Sequence, residues 1–150
     1  MNQPVRILVA MADRGRRAEL AALLEARGFV ALVADQAGEA QRVAREESPD
    51  LLLLGHGGRA EELELLGALR AALGEELVPV VCLSNCGAGC EGRGARLEAL
   101  RAGADEVLDF SCDAEELALR LTALLRWRRQ HRALRSEERR VGKECATLCR

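Results

Sequence analysis

The chain has almost no lysine. Of its 22 basic residues, Lys143 alone is a lysine and the others are arginines. Any chemistry that requires a lysine amine in the first 142 residues is therefore excluded. Aromatic residues are also scarce, at 2% with no tyrosine. A core must then be built from Leu, Val and Ala. A single Trp127 is too little aromatic interleaving for a nucleic-acid surface. The net charge of −2 gives no global reason to expect nucleic acid or an anionic membrane as partner. No apolar run approaches the ~18 residues of a spanning helix. The first ten residues hold too short an apolar stretch for a secretory signal. The expectation is a cytoplasmic protein with no membrane contact.

What is present is a 49% hydrophobic chain of 150 residues, enough for one domain with a sizeable core. Six cysteines stand at 82, 86, 90, 112, 145 and 149. Without a signal peptide they do not read as a disulfide framework. The stretch "CLSNCGAGC" has Cys-x3-Cys-x3-Cys spacing, whereas zinc sites prefer Cys-x2-Cys pairs with further ligands. Cys82 reads as a small apolar strand residue, and Cys86 and Cys90 as loop thiols. No metal or cofactor is expected.

Short, nearly continuous apolar runs alternate with helical patterns. Strands are predicted at 5–10, 29–34, 50–54, 78–84 and 105–110. Between them lie a helix stopped by Gly28, a weak helix over 36–47, a clear helix over 60–74 stopped by Gly74, and a helix ending near 103. A last helix starts at Asp113, with Glu116 three residues on in capping-box spacing, and runs to about Arg140. Strands apolar on both sides belong in a parallel sheet covered on both faces. The predicted fold class is α/β, a doubly wound (βα)5 sandwich with a five-stranded parallel sheet and an extended C-terminal helix. Function in such sheets sits beyond the carboxyl ends of the strands. The residues to inspect are Met11 to Asp13, Asp35, Gly55 to Gly58, Ser84 with Asn85, and Asp109 with Phe110.

The segments "RILVA", "SPDLLLL", "VPVVCLS", "LRAGADEVLDF" and "AEELALRLTALLR" resemble, in this order, a response-regulator receiver domain of flavodoxin-like fold. The resemblance covers roughly residues 5 to 128. In that family an acidic pair after the first strand binds Mg²⁺ and an aspartate ending the third strand accepts a phosphoryl group. A Ser or Thr after the fourth strand and a Lys after the fifth hold its oxygens. The resemblance places Met11-Ala12 at the acidic pair, with only Asp13 acidic next to it. It places Gly55 at the phospho-acceptor, Ser84 at the hydroxyl and Phe110 at the lysine. It therefore implies a degenerate pocket formed by Met11, Ala12, Asp13, Gly55, Ser84 and Phe110, with no phospho-acceptor and no catalytic residue.

Three other features have rival readings. His56, beside the vacant acceptor position, reads as an exposed loop histidine rather than a phosphate carrier or metal ligand. The loop Gly55–Gly58 lets the backbone approach an anion closely. It lacks the spacing of a nucleotide loop, so a small-ligand or nucleotide-binding flavodoxin-like domain is the alternative reading. Asp13 and Asp109, with Asp35 further out, read as capping and solvated carboxylates. The expected organisation is a receiver-like domain over 4–128 and a helical linker with a disordered tail over 129–150. The stretch "VGKECATLCR" differs in composition from the rest, as a truncated linker or read-through end would. The expected role is a pseudo-receiver that is not an enzyme, within a bacterial two-component phosphorelay. It would act on a protein partner or a fused effector domain, whether sensor kinase or output domain. Helix four, strand five and helix five form the contact face by resemblance, and a homodimer through the last helix is a further expectation.

Overall fold

A computed structural model of the chain describes residues 3–57, 59–74, 76–84 and 90–148, without the side chains of 56 and 90–93. Five strands and five helices alternate: β1 (Arg6–Ala10), α1 (Arg14–Ala26), β2 (Val30–Ala34), α2 (Ala37–Glu46), β3 (Leu51–His56), α3 (Ala60–Leu73), β4 (Val80–Ser84), α4 (Cys90–Ala102), β5 (Glu106–Asp109) and α5 (Ala114–Leu148). All strand pairs are parallel, in the order β2-β1-β3-β4-β5. The doubly wound flavodoxin-like sandwich expected from the sequence is the fold observed.

The continuous apolar runs follow from burial on both faces. Side chains alternate across a strand, so Leu51 and Leu53 join one core while Leu52 and Leu54 join the other. The first core packs Ile7, Val9 and Leu83 against Leu24 of α1 and Leu117, Leu121 and Leu125 of α5. The second packs Leu8, Leu52 and Val80 against α2, α3 and Ala99 of α4. All four leucines of "LLLL" are 0–3% exposed. At about 25 cal/mol per Å², burying each contributes roughly 1.5–3 kcal/mol.

The helix stops lie where left-handed backbone is needed. Gly28 has φ 86° after α1, and the Phe29 N–H closes back on the Leu24 carbonyl at 3.0 Å. Gly103 has φ 115° after α4, with Ala104 N–H on the Ala99 carbonyl at 3.0 Å. This pairing across the last turn is how such helix ends satisfy orphan carbonyls.

At the amino-terminal edge of the sheet, Arg128 of α5 is buried. Its guanidinium pairs with Asp50, and its Nε donates to the Leu77 carbonyl at 3.0 Å. Asp50 also accepts the Arg6 N–H at 2.9 Å. One arginine thus ties α5 to the loops that enter β3 and β4.

Three local expectations need correction. Strand β3 does not stop at Leu54: Gly55 pairs with Leu83 and His56 with Ser84, so His56 is a strand residue and not a loop residue. Cys90 opens α4 instead of lying in a loop. The last helix continues to Leu148, past Arg140 and through the stretch expected to be a disordered tail. Arg140 there bridges Glu137 at 3.0 Å and Glu144 at 3.9 Å, side-chain pairs at helical spacing that support an exposed helix. At 1.5 Å per residue, α5 is about 52 Å long. Asn85, Cys86, Gly58 and Cys149 lie outside the described residues.

Candidate functional site

The carboxyl edge of the sheet brings the strand ends together. Met11, just beyond β1, is 7% exposed and belongs to the core shared by α1 and α5. Its N–H donates to the Ala34 carbonyl at 3.2 Å. Arg17 reaches back from α1 and donates to the carbonyls of Met11 at 2.8 Å and Ala12 at 3.4 Å. The β1–α1 turn is therefore held from both sides. Asp13 caps α1, accepting the Arg16 N–H at 3.0 Å. Its carboxylate is used for capping, as expected for an Asp at this position.

Gly55 faces Met11 across the β1–β3 pair. A Cβ built on Gly55 would lie 2.7 Å from the Met11 Cβ. That is inside van der Waals contact, and the obstructing atom is fixed to the backbone rather than carried at the end of a flexible side chain. With this backbone, position 55 accepts glycine alone. Arg17 and Ala34 hold Met11 in place and so preserve the close approach.

The segment after Gly55 has its own carboxylate. Glu62, in the first turn of α3, accepts the Gly57 N–H at 2.6 Å and the Arg59 N–H at 3.1 Å, both on Oε2. The Gly57 and Arg59 amides are thus taken by a carboxylate of the chain itself. Sequence reasoning missed Glu62. Its signal was half of a capping box, a Glu at the third helical position, without the Ser or Thr that completes the motif.

Ser84 ends β4, 2% exposed, and its carbonyl accepts the Phe110 N–H at 2.9 Å. Phe110 is half-buried and packs with the α1–α5 core. The Arg16 guanidinium lies 4.4 Å from its ring centroid, a cation–π contact that sequence reasoning also missed. Phe110 lines a cavity of about 370 Å³ with Leu20, Leu23, Leu83 and Leu117. Met11, Ala12 and Gly55 line another of about 310 Å³, together with Asp35, Arg59 and Glu62. Phe110 turns toward helices α1 and α5, while Met11 and Gly55 close against each other.

The remaining carboxylates and thiols are quiet. Asp109 Oδ1 accepts the Ser111 hydroxyl at 2.6 Å and the Ser111 N–H at 2.7 Å. These bonds, aided by Arg16, hold its carboxyl below the usual range. Among the described residues no group of three or more His, Cys, Asp or Glu side chains is placed to hold a metal ion. Cys82 is buried in the core, and burial, with Glu62 adding, pushes its thiol up to about 12. Such a thiol is no nucleophile at neutral pH. Cys112, half-buried, is also raised, chiefly by burial.

Comparison with known proteins places this geometry. No family model matches the chain. Its sequence is 35% identical over 124 residues to the response regulator MprA of Mycolicibacterium vanbaalenii, covering 82% of this chain and 51% of that protein. A receiver domain (CheY-like) from Methanospirillum hungatei superposes with a TM-score of 0.73 at 21% identity, covering 86% of this chain and 99% of the other. This is the fold of a response-regulator receiver domain. NtrX from Brucella abortus, solved in complex with ADP, superposes with a TM-score of 0.80 at 24% identity, covering 93% of this chain and 30% of NtrX. A response regulator from Thermotoga maritima gives 0.71 at 20% identity, covering 82% of this chain and 98% of the other. The chain spans about half the length of the curated relative it matches. Sequence and fold together make the chain receiver-like. No helix among the described residues is long and apolar enough to cross a membrane.

Proposed function

We propose that this receiver-like module is not phosphorylated and works through protein contact. The reading rests on one observation above all: the Gly55 Cβ position lies 2.7 Å from the Met11 Cβ. Aspartyl phosphorylation needs an in-line carboxylate, a cation and donors for the phosphoryl oxygens. At the positions aligned with those roles stand Gly55, the apolar pair Met11-Ala12 and Phe110. The degenerate positions at the strand ends are these four residues with Asp13 and Ser84, and the domain spans 4–128 with a helical extension after it. The module is not an enzyme and resides in the cytoplasm.

Its partner is a protein or a fused effector domain. The face of α4, β5 and α5 suits this role, because Leu97 and Leu100 of α4 and Leu119 of α5 remain exposed and the Arg120–Glu106 ion pair joins α5 to β5. Self-association through α5 belongs to the same reading. The alternative, a small ligand on the Gly55–Gly58 loop, is disfavoured because Glu62 already occupies the loop's Gly57 and Arg59 donors.

The test is treatment with acetyl phosphate, or with beryllofluoride and Mg²⁺, followed by intact mass and amide NMR. Neither should change the protein. Stoichiometric labelling would overturn the reading. A strong, specific thermal shift with a nucleotide, flavin or cobalamin would overturn it in favour of ligand binding.

A further inference from the structure

We infer that Glu62 is a resident anion of the sheet's carboxyl edge: its carboxylate ties Gly57, just after β3, to Arg59, just before α3, so this part of the edge keeps a fixed shape. The inference rests on the unphosphorylated reading above and adds a cause for the fixed shape.

One carboxylate oxygen, Oε2, accepts two backbone N–H groups from opposite ends of the loop. Gly57 directly follows β3, and Arg59 directly precedes α3. A glutamate that merely caps a helix at this position accepts from the residue just before the helix. Here the bond to Gly57, the shorter at 2.6 Å, lies outside the helix altogether. A Cβ on Gly57 would sit 3.6 Å from Glu62 Oε1, in ordinary van der Waals contact with the carboxylate. Glu62 is half-buried, which strengthens charge-assisted bonds relative to a fully solvated carboxylate. The amino end of the 14-residue helix α3 adds its partial positive charge.

A loop that switches must have a second arrangement with comparable free energy, and a ligand that tells the two apart. A phosphoryl group is the ligand that would ordinarily bring negative charge to this edge. The chain supplies a carboxylate there from its own first turn of α3. On the neighbouring strand Met11 is clamped by Arg17 and Ala34, so the other side of the edge is also held.

The test is residue-resolved amide exchange on the full 150-residue chain and on Glu62→Ala and Glu62→Gln. In the parent chain the Gly57 and Arg59 amides should both be protected. Glu62→Ala should speed exchange at Gly57 by about tenfold or more, the scale of one lost charge-assisted bond. Glu62→Gln keeps an acceptor oxygen and should fall between. If Glu62 were only a helix cap, Glu62→Ala would speed exchange at Arg59 and in the first turn of α3 but leave Gly57 as it was. That result, or a Gly57 amide already unprotected in the parent, would overturn the inference. The readout does not depend on phosphate, so labelling by acetyl phosphate would sink the proposed function without deciding this point.

Discussion

At the scale of the residue, the strongest constraint lies between Gly55 and Met11. Putting an aspartate at position 55 adds a Cβ 2.7 Å from the Met11 Cβ. Overpacking of this kind costs about 1–3 kcal/mol. Gly55→Asp should therefore lower the urea midpoint without restoring any response to beryllofluoride. Asp109 gives a prediction in pH. Its folded pKa is lowered by the two Ser111 bonds. A lowered carboxylate contributes stability above the unfolded range near 4 and loses it as pH falls through the folded value. In Ser111→Ala the Asp109 carboxyl should titrate at higher pH than in the parent by carbon-detected NMR. Acid unfolding should then begin at a higher pH. An unchanged titration would show that Ser111 does not set it.

At the scale of the element, helix α5 is positioned by Arg128. Asp50→Ala would leave a guanidinium, 6% exposed, without its carboxylate. Breaking such a pair from one side costs about 3 kcal/mol. The expected outcome is a drop of that order in chemical denaturation, with Arg128→Met in the same background recovering part of the loss. How far the elements were legible in sequence depends on what made each one. β1, β3 and β4 could be read because burial on both faces requires unbroken apolar runs. Gly28 and Gly74 could be read as stops because left-handed backbone favours glycine. The extension of β3 over Gly55 and His56 could not, since neither residue favours a strand and pairing with Leu83 and Ser84 decides the matter. The orientation of Phe110 was also hidden, because the position of Arg16 over its ring depends on how α1 packs and not on spacing along the chain. Aligned positions identified the candidate pocket residues, but alignment could not reveal that Met11 fills the space opposite Gly55.

At the scale of the whole molecule, the two cores end with the sheet. The last α5 residues that the body buries are Leu125 and Arg128. Beyond them Leu134, Val141 and Leu148 are exposed, and α5 runs on as a single helix. Removing residues 135–150 should therefore leave the melting temperature within about 4 °C, the shift expected for 1 kcal/mol or less in a domain of this size. The circular dichroism should lose only the helical signal of the deleted turns. A collapse of the fold on truncation would mean that the extension contributes to the core.

The close approach of Met11 and Gly55 also bears on history. A single substitution that places a larger residue at position 55 meets the Met11 Cβ first, so it carries a packing cost before it can bring any chemistry. Changing Met11 alone does not clear the path, since any residue except glycine brings the same Cβ. The contact would then act as a ratchet: a glycine settled against Met11 is kept by packing, whatever chemistry the position could otherwise carry.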